Sequence, residues 1–207
     1  AIAGALDGGA QHGGLRHLDV SNNAIDAGVA QLCASVARCT QLKGLNVSHN
    51  RIGAKGVEAL GDALAASPCA WSVEGHGAEG MMALSEIDLS YSNVGKGECR
   101  WLRVLADTCT AMCKLELAYN SLGDEAAVII AQCVREGQLR ALRRLGLRGN
   151  CITSQGGSAL VGAFRVNTLL CFRMECVDLR DNQFSSAPEM GEDDADCEAR
   201  AVVEVMC

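Results

Sequence analysis

The sequence predicts a single α/β solenoid, in which short parallel strands line one side and helices line the other. Three observations lead to this fold class. A leucine-based pattern recurs six times, an apolar helical period follows each of the first five copies, and the chain has 23 glycines, two prolines and only 3% aromatic residues. A chain of 207 residues is long enough for one domain with a real core. That core must be built from aliphatic side chains and cysteine.

The repeated pattern is L-x-x-L-x-L-x-x-N-x-L. Its copies begin at Leu15, Leu42, Leu84, Met112, Leu142 and Met174. The starts advance by 27, 42, 28, 30 and 32 residues. Leu-x-Leu at period two places both side chains on one face of a short strand, and the Asn follows where the chain leaves that strand. Its amide can bind backbone groups of the turn and form a ladder from coil to coil.

The third copy departs from the pattern, because Ser92 takes the Asn position and Asn93 lies one residue late. A weaker or shifted turn is therefore expected there. After each strand, apolar residues recur at spacings of three and four, which place them on one helix face. The helical positions are Val29, Leu32 and Val36; Val57, Leu60 and Leu64; Leu102 and Leu105; Val128 and Ala131; Leu160 and Phe164.

Over about residues 15–188 the chain resembles the ribonuclease-inhibitor type of leucine-rich-repeat protein, with its Gly-led helix and a unit of roughly 28 residues. The resemblance implies a curved solenoid with strands on the concave side and helices on the convex side. A single unit cannot bury its own apolar faces, so neighbouring units must stack.

The predicted solenoid covers residues 1–188. Within it, residues 1–14 are interpreted as the end of a truncated preceding repeat, so more protein upstream or a partner is expected there. The 42-residue step holds a loop insertion at 65–83, whose Trp71 is either tucked under the loop or offered to a partner. Residues 189–207 are predicted to be an acidic tail or a short cap helix, since 189–198 contain six acids.

The resemblance implies that ligands often use exposed strand positions on the concave side. There the first four units present an acidic stripe with two tyrosines beside it, and the fifth adds arginines, which suits orientation of a complementary partner. The alternative is a solvated polar face, which every such solenoid needs. The candidate partner-binding residues on this face are Asp19, Asn46, His49, Asp88, Tyr91, Glu116, Tyr119, Arg144, Arg148 and Arg180.

Charge and motifs exclude several classes of function. Residues 175–207 hold ten acids and two bases, so this segment carries a charge of −8. Because the net charge of the chain is −7, the remaining residues together carry +1. A nucleic-acid surface needs a broad basic excess, and none is present. Phosphate-binding loops, nucleophile elbows and zinc-type cysteine spacings are also absent. We expect no enzyme activity, no catalytic or metal residues, no cofactor, no small-molecule substrate and no nucleic acid.

Twelve cysteines are scattered without CxxC pairs and are interpreted as reduced core residues. No apolar run reaches the ~18–20 residues of a membrane span. An intracellular location, cytoplasmic or cytoskeletal, is favoured, and an organelle stays open because any presequence would lie upstream.

The predicted function is a non-catalytic protein–protein interaction scaffold, acting as a structural subunit of a larger intracellular assembly. Two alternatives stay open. A Ran-type GTPase activator resembles this chain in having this repeat type followed by an acidic stretch, which would make the chain a regulator of a small GTPase. A ligand-sensing repeat region of a larger receptor, as in innate-immune sensors, is the other.

Overall fold

The computed structural model describes residues 14–26, 29–39, 41–66, 84–95, 99–168 and 174–184. Three expectations lie outside these residues: the preceding repeat before residue 14, the loop insertion from residue 67 onward with Trp71, and the acidic segment 189–207. Within the described ranges the chain forms six strands and five helices.

Strands and helices alternate along the chain. The six strands are β1 (His17–Asp19), β2 (Gly44–Asn46), β3 (Glu86–Asp88), β4 (Lys114–Glu116), β5 (Arg144–Gly146) and β6 (Cys176–Asp178). The five helices are α1 (Val29–Val36), α2 (Gly53–Ala65), α3 (Arg100–Thr108), α4 (Gly123–Arg135) and α5 (Ser154–Thr168).

The six strands form one parallel sheet in the order β1-β2-β3-β4-β5-β6, so each unit pairs only with its neighbours in sequence. The register is uniform: the middle residue of each strand faces the middle residue of the next, as Leu18 does Leu45 and Leu115 does Leu145. Equivalent positions of successive repeats therefore lie side by side in straight rows. This confirms the predicted solenoid, with the strands on the concave side and the helices on the convex side.

The core fills the space between the sheet and the helices. Leu42, Leu84 and Leu142, which open three of the repeats, are completely buried. Trp101 of α3 is only 2% exposed and packs in this core. Burying one such large apolar side chain stabilises the fold by about 1.5–3 kcal/mol, so the repeated positions dominate the packing energy.

One helix face differs from the expectation. In α4 the side chains of Ala127, Ile130, Ala131 and Val134 are buried, while Val128 is only half-buried. The uninterrupted apolar run from Ala126 to Ala131 gives no polar residue to mark the exposed side, so the face could not be read from spacing alone. Packing against the sheet selects it instead.

The asparagine ladder forms as expected in the regular units. The Asn50 amide donates to the carbonyls of Val20 (3.0 Å) and Val47 (2.9 Å), and its oxygen accepts from the N–H of Ile25 (3.1 Å). Each such side chain thus joins two neighbouring coils, which is how the repeat holds its turn without continuous secondary structure.

The third turn is weaker but not shifted. The Ser92 hydroxyl makes only long contacts, to the carbonyls of Val47 (3.5 Å) and Ser90 (3.4 Å). The β2–β3 and β3–β4 registers are nevertheless unbroken, because the units on both sides hold the coil in place.

Within the described helices none is long and apolar enough to cross a membrane.

Candidate functional site

The uniform register arranges the exposed strand side into three rows. The opening row holds the first residue of each strand, namely His17, Gly44, Glu86, Lys114, Arg144 and Cys176. The acidic row holds the last residue of each strand, namely Asp19, Asn46, Asp88, Glu116, Gly146 and Asp178. The rim row lies three residues further on and consists of Asn22, His49, Tyr91, Tyr119, Gly149 and Asp181. Eight of the ten candidate concave-face residues fall in these rows, and the other two, Arg148 and Arg180, lie between the acidic and rim rows.

The acidic row ends the strands by capping them. One side-chain oxygen of Asp19 accepts from the N–H of Ser21 at 2.9 Å, and Asp88 caps Ser90 at the same distance. Asn46 does the same for the next coil at 3.0 Å, so an amide serves this role as well as a carboxylate. Hydrogen bonds from Ser21 lower the pKa of Asp19 and keep it ionised. This capping role was not predicted from the sequence, although Asp/Asn-x-Ser recurs in the first three units and is typical of such turns.

A depression of about 230 Å³ lies over β1 to β3, and the imidazole of His17, which covers Gly44, is part of its lining. Its walls carry the carboxylates of Asp19, Glu86 and Asp88, and Lys114 lies at one edge. Lys114 is 3.8 Å from a carboxylate oxygen of Glu116. Within the described part of the chain, the three wall carboxylates have no ion-pair partner.

The rim row contains a stack of three rings. The His49 and Tyr91 centroids are 4.3 Å apart with planes 13° from parallel, and those of Tyr91 and Tyr119 are 4.5 Å apart at 20°. All three residues have left-handed backbone, with φ of 53° to 55°. The other units fill this row with Asn22, Gly149 and Asp181, which are types that tolerate this conformation. We call the three stacked residues the aromatic ladder.

The fifth and sixth units lock the C-terminal end of the aromatic ladder. The Tyr119 hydroxyl donates to a carboxylate oxygen of Asp181 at 2.7 Å, and Nε of Arg148 donates to the same oxygen at 2.7 Å. The Arg148 guanidinium also lies 5.7 Å from the centroid of the Tyr119 ring. The hydrogen bond from Tyr119, followed by that from Arg148, lowers the pKa of Asp181. The same bond to Asp181 raises the pKa of Tyr119.

Glu116 is less exposed than the sequence suggested. Its carboxylate folds over the backbone of Gly146, where a methyl group would overlap it. Burial is the main reason that the pKa of Glu116 is raised, while nearby Lys114 opposes the shift. Glu116 therefore forms part of the packed surface, and its role in partner binding stays a prediction.

The basic end of the predicted face is largely neutralised within the chain. Arg148 pairs with Asp181 and Arg180 with Asp178, each at 2.7 Å, and Arg143 pairs with Glu175 at 3.0 Å. Two further arginines bind backbone carbonyls: Arg135 that of Ala159 and Arg140 that of Gly137. Arg144 is exposed on β5.

The arrangement can present charge, hydrogen-bonding groups and ring edges. No group of His, Cys, Asp and Glu side chains that could hold a metal ion occurs in the described ranges. Trp71, the other candidate contact, lies outside the described residues.

Comparisons with known proteins agree with this fold. Residues 38–61 and 138–161 match the family model described as Leucine Rich repeat. No curated protein matches the chain. The tropomodulin C-terminal domain from Caenorhabditis elegans superposes with a TM-score of 0.54 at 12% identity, over 77% of this chain and 87% of that one. An internalin from Listeria monocytogenes superposes with a TM-score of 0.53 at 15% identity, over 89% of this chain but only 45% of the internalin. The six in-register units and these matches together show that the chain has the leucine-rich-repeat fold.

Proposed function

We propose that the chain is a non-catalytic protein-binding scaffold within a larger intracellular assembly, and that it binds its partner through the aromatic ladder and the acidic row. The observation that carries this proposal is the aromatic ladder itself. Three bulky residues occupy left-handed backbone positions, and one of them, Tyr91, is 45% exposed.

The backbone cost of the ladder argues for a function beyond folding. A non-glycine residue in the left-handed region costs of order 1 kcal/mol or more, and such strain clusters at functional sites. Stacking of the rings offsets part of this cost. Asn at these positions would avoid it, as Asn22 does in the first unit.

The ladder suits recognition of a protein. Tyrosine is favoured at interface hot spots because it offers a large contact area with few rotatable bonds. Here Tyr119 is already fixed by Asp181, so little side-chain freedom remains to be lost on binding. The Tyr91 hydroxyl has no hydrogen bond to another described residue and is available to a partner.

The same geometry argues against nucleic acid. Both faces of the Tyr91 ring are covered, one by His49 and one by Tyr119, so the ladder offers edges where base stacking needs open faces. The neighbouring carboxylates would also repel a phosphate backbone. An intracellular location, cytoplasmic or cytoskeletal, is supported by the described cysteines, five of which are buried in the apolar core as small apolar residues. The GTPase-regulator and receptor alternatives stay predictions.

The test is a crosslinking pull-down from the source cell that compares the wild-type chain with Tyr91→Asn. Asn tolerates the left-handed backbone at this row, so the variant removes the exposed ring without straining the turn. Gln155→Ala, an exposed substitution on the opposite, helical side, is the control. Circular dichroism first establishes that both variants are folded.

We expect Tyr91→Asn to lose specific partners that Gln155→Ala retains, with crosslinks mapping to the strand side. If Tyr91→Asn keeps every partner, the aromatic ladder is not the binding site.

A further inference from the structure

We propose that the depression over β1 to β3 binds the Arg or Lys side chains of an extended basic segment in the protein partner. This inference rests on the proposed function and names the chemistry of the partner at that face. It follows from a difference between the two halves of the solenoid.

In the C-terminal half, the chain supplies its own cations to the carboxylates of the exposed side. Arg148 and Arg180 each lie two residues after a member of the acidic row. Arg148 pairs with Asp181 and Arg180 pairs with Asp178, each at 2.7 Å. Arg143, one residue before β5, pairs with Glu175, one residue before β6, at 3.0 Å. The acids of these units are therefore neutralised locally.

In the N-terminal half, the corresponding positions are Ser21, Ser48 and Ser90. These side chains are short and uncharged, so they cannot neutralise a neighbouring carboxylate. The carboxylates of Asp19, Glu86 and Asp88 consequently have no ion-pair partner among the described residues, and the nearby Lys114 pairs with Glu116 at 3.8 Å. The positions that the arginines fill further along are open here.

The carboxylates retain free hydrogen-bonding capacity. One carboxylate oxygen of Asp88 accepts a hydrogen bond from the N–H of Ser90, and no described donor binds the second oxygen. Glu86 is exposed at the wall of the depression. Asp19 is nearly saturated, because it accepts from Ser21 and from the Asn46 amide at 3.0 Å. Glu86 and Asp88 are thus the main acceptors for an incoming guanidinium.

The spacing of the acids fits an extended ligand. Adjacent strands lie about 4.8 Å apart, so equivalent residues of β1 and β3 are separated by roughly 10 Å. A polyproline-type chain advances about 9 Å in three residues and returns to the same face. A segment with a basic residue at every third position can therefore place successive charges against Asp19 and Asp88.

The experiment measures the fluorescence anisotropy of a labelled peptide. Arg occupies every third position of this peptide, and Pro and Ser occupy the two positions between successive arginines. The same peptide with Glu in place of Arg is the probe control. The test variant combines Asp19→Asn, Glu86→Gln and Asp88→Asn. Asn46 shows that an amide retains the cap of this row, so folding should be preserved. Glu86→Gln alone, at an exposed position, is the second variant if the triple variant unfolds.

The matched protein control removes the same charge from the helical side, with Glu58→Gln, Asp62→Asn and Glu125→Gln, all exposed positions. We expect the strand-side triple variant to bind the Arg peptide about tenfold more weakly, since each exposed charge contributes modestly. The helical-side variant should change affinity less than about twofold. Glu86→Gln alone should weaken binding measurably.

Equal weakening by the two triple variants would show a net-charge effect and overturn the proposal. So would the lack of saturable binding of the Arg peptide to the wild-type chain, or equal binding of the Glu peptide. If the peptide fails while the pull-down still depends on Tyr91, only the basic-segment inference is lost and the scaffold proposal stands.

Discussion

At the scale of single residues, the site depends on glycines that are covered by side chains from the preceding unit. Tyr119 lies over Gly149 and Glu116 over Gly146, and in both cases a Cβ would overlap the covering side chain. The imidazole of His17 lies over Gly44 in the same manner. At these positions a side chain of one unit therefore lies over the backbone of the next unit, and it can do so because the covered residue is glycine.

Gly149→Ala should break the closed end of the aromatic ladder. The residue has φ of +65°, and a methyl group would meet the Tyr119 ring, so the ring must move away from Asp181. We expect a loss of about 1–2 kcal/mol in the free energy of unfolding, because alanine is strained in this region. Urea denaturation measures the loss, and near-ultraviolet circular dichroism reports the displaced tyrosine.

Gly162→Ala is the matched control, since no atom lies within 4 Å of the added methyl group and the residue is inside α5. It should be neutral or stabilising by up to about 1 kcal/mol. Equal stability of the two variants would contradict the packing of Tyr119 on Gly149.

At the scale of elements, the ladder of polar side chains joins each coil to the next, and Ser92 is its weak step. In the following unit, the Asn120 amide donates to the carbonyls of Leu89 (2.8 Å) and Leu117 (3.1 Å). The Ser92 hydroxyl has only one donor and reaches its acceptors at 3.4–3.5 Å. The third coil is therefore held mainly by its neighbours.

Ser92→Asn should stabilise the protein by about 1 kcal/mol, the net value of a typical buried hydrogen bond, because the new amide can repeat the contacts of Asn50 and Asn120. The midpoint of urea unfolding is the measurement. Ser121→Asn is the control, since it places Asn at an exposed left-handed position outside the ladder. An increase no larger than that of Ser121→Asn would mean that backbone preference, and not the ladder, is responsible.

The elements were the most predictable part of the molecule. Strand positions and the ladder follow from a period of two and a fixed Asn, which are local signals in the sequence. The pair Arg148–Asp181 is 33 residues apart and depends on the register of two units, so no local pattern reveals it. Of the two outcomes expected at Ser92, a weaker or a shifted turn, the structure shows the weaker one, because strand pairing on both sides keeps the register.

At the scale of the whole molecule, the apolar residues of all units form one continuous core between the sheet and the helices. Five of the eight described cysteines are buried in it, whereas Cys113, Cys151 and Cys176 are half-buried. The core positions of these cysteines agree with their interpretation as small apolar residues. Their chemical reactivity should consequently report on packing along the solenoid.

Alkylation by iodoacetamide at about pH 8 should therefore divide the described cysteines into two classes, because the thiolate is the reactive form. Burial raises the pKa of Cys109 to about 12 and that of Cys33, Cys99 and Cys133 to about 11. We expect mass spectrometry to find Cys113 modified well before Cys109, although only four residues separate them. In urea-unfolded protein the two should react alike, which controls for local sequence. Equal rates in the native protein would mean that the end of α3 opens freely and that the units do not share one core.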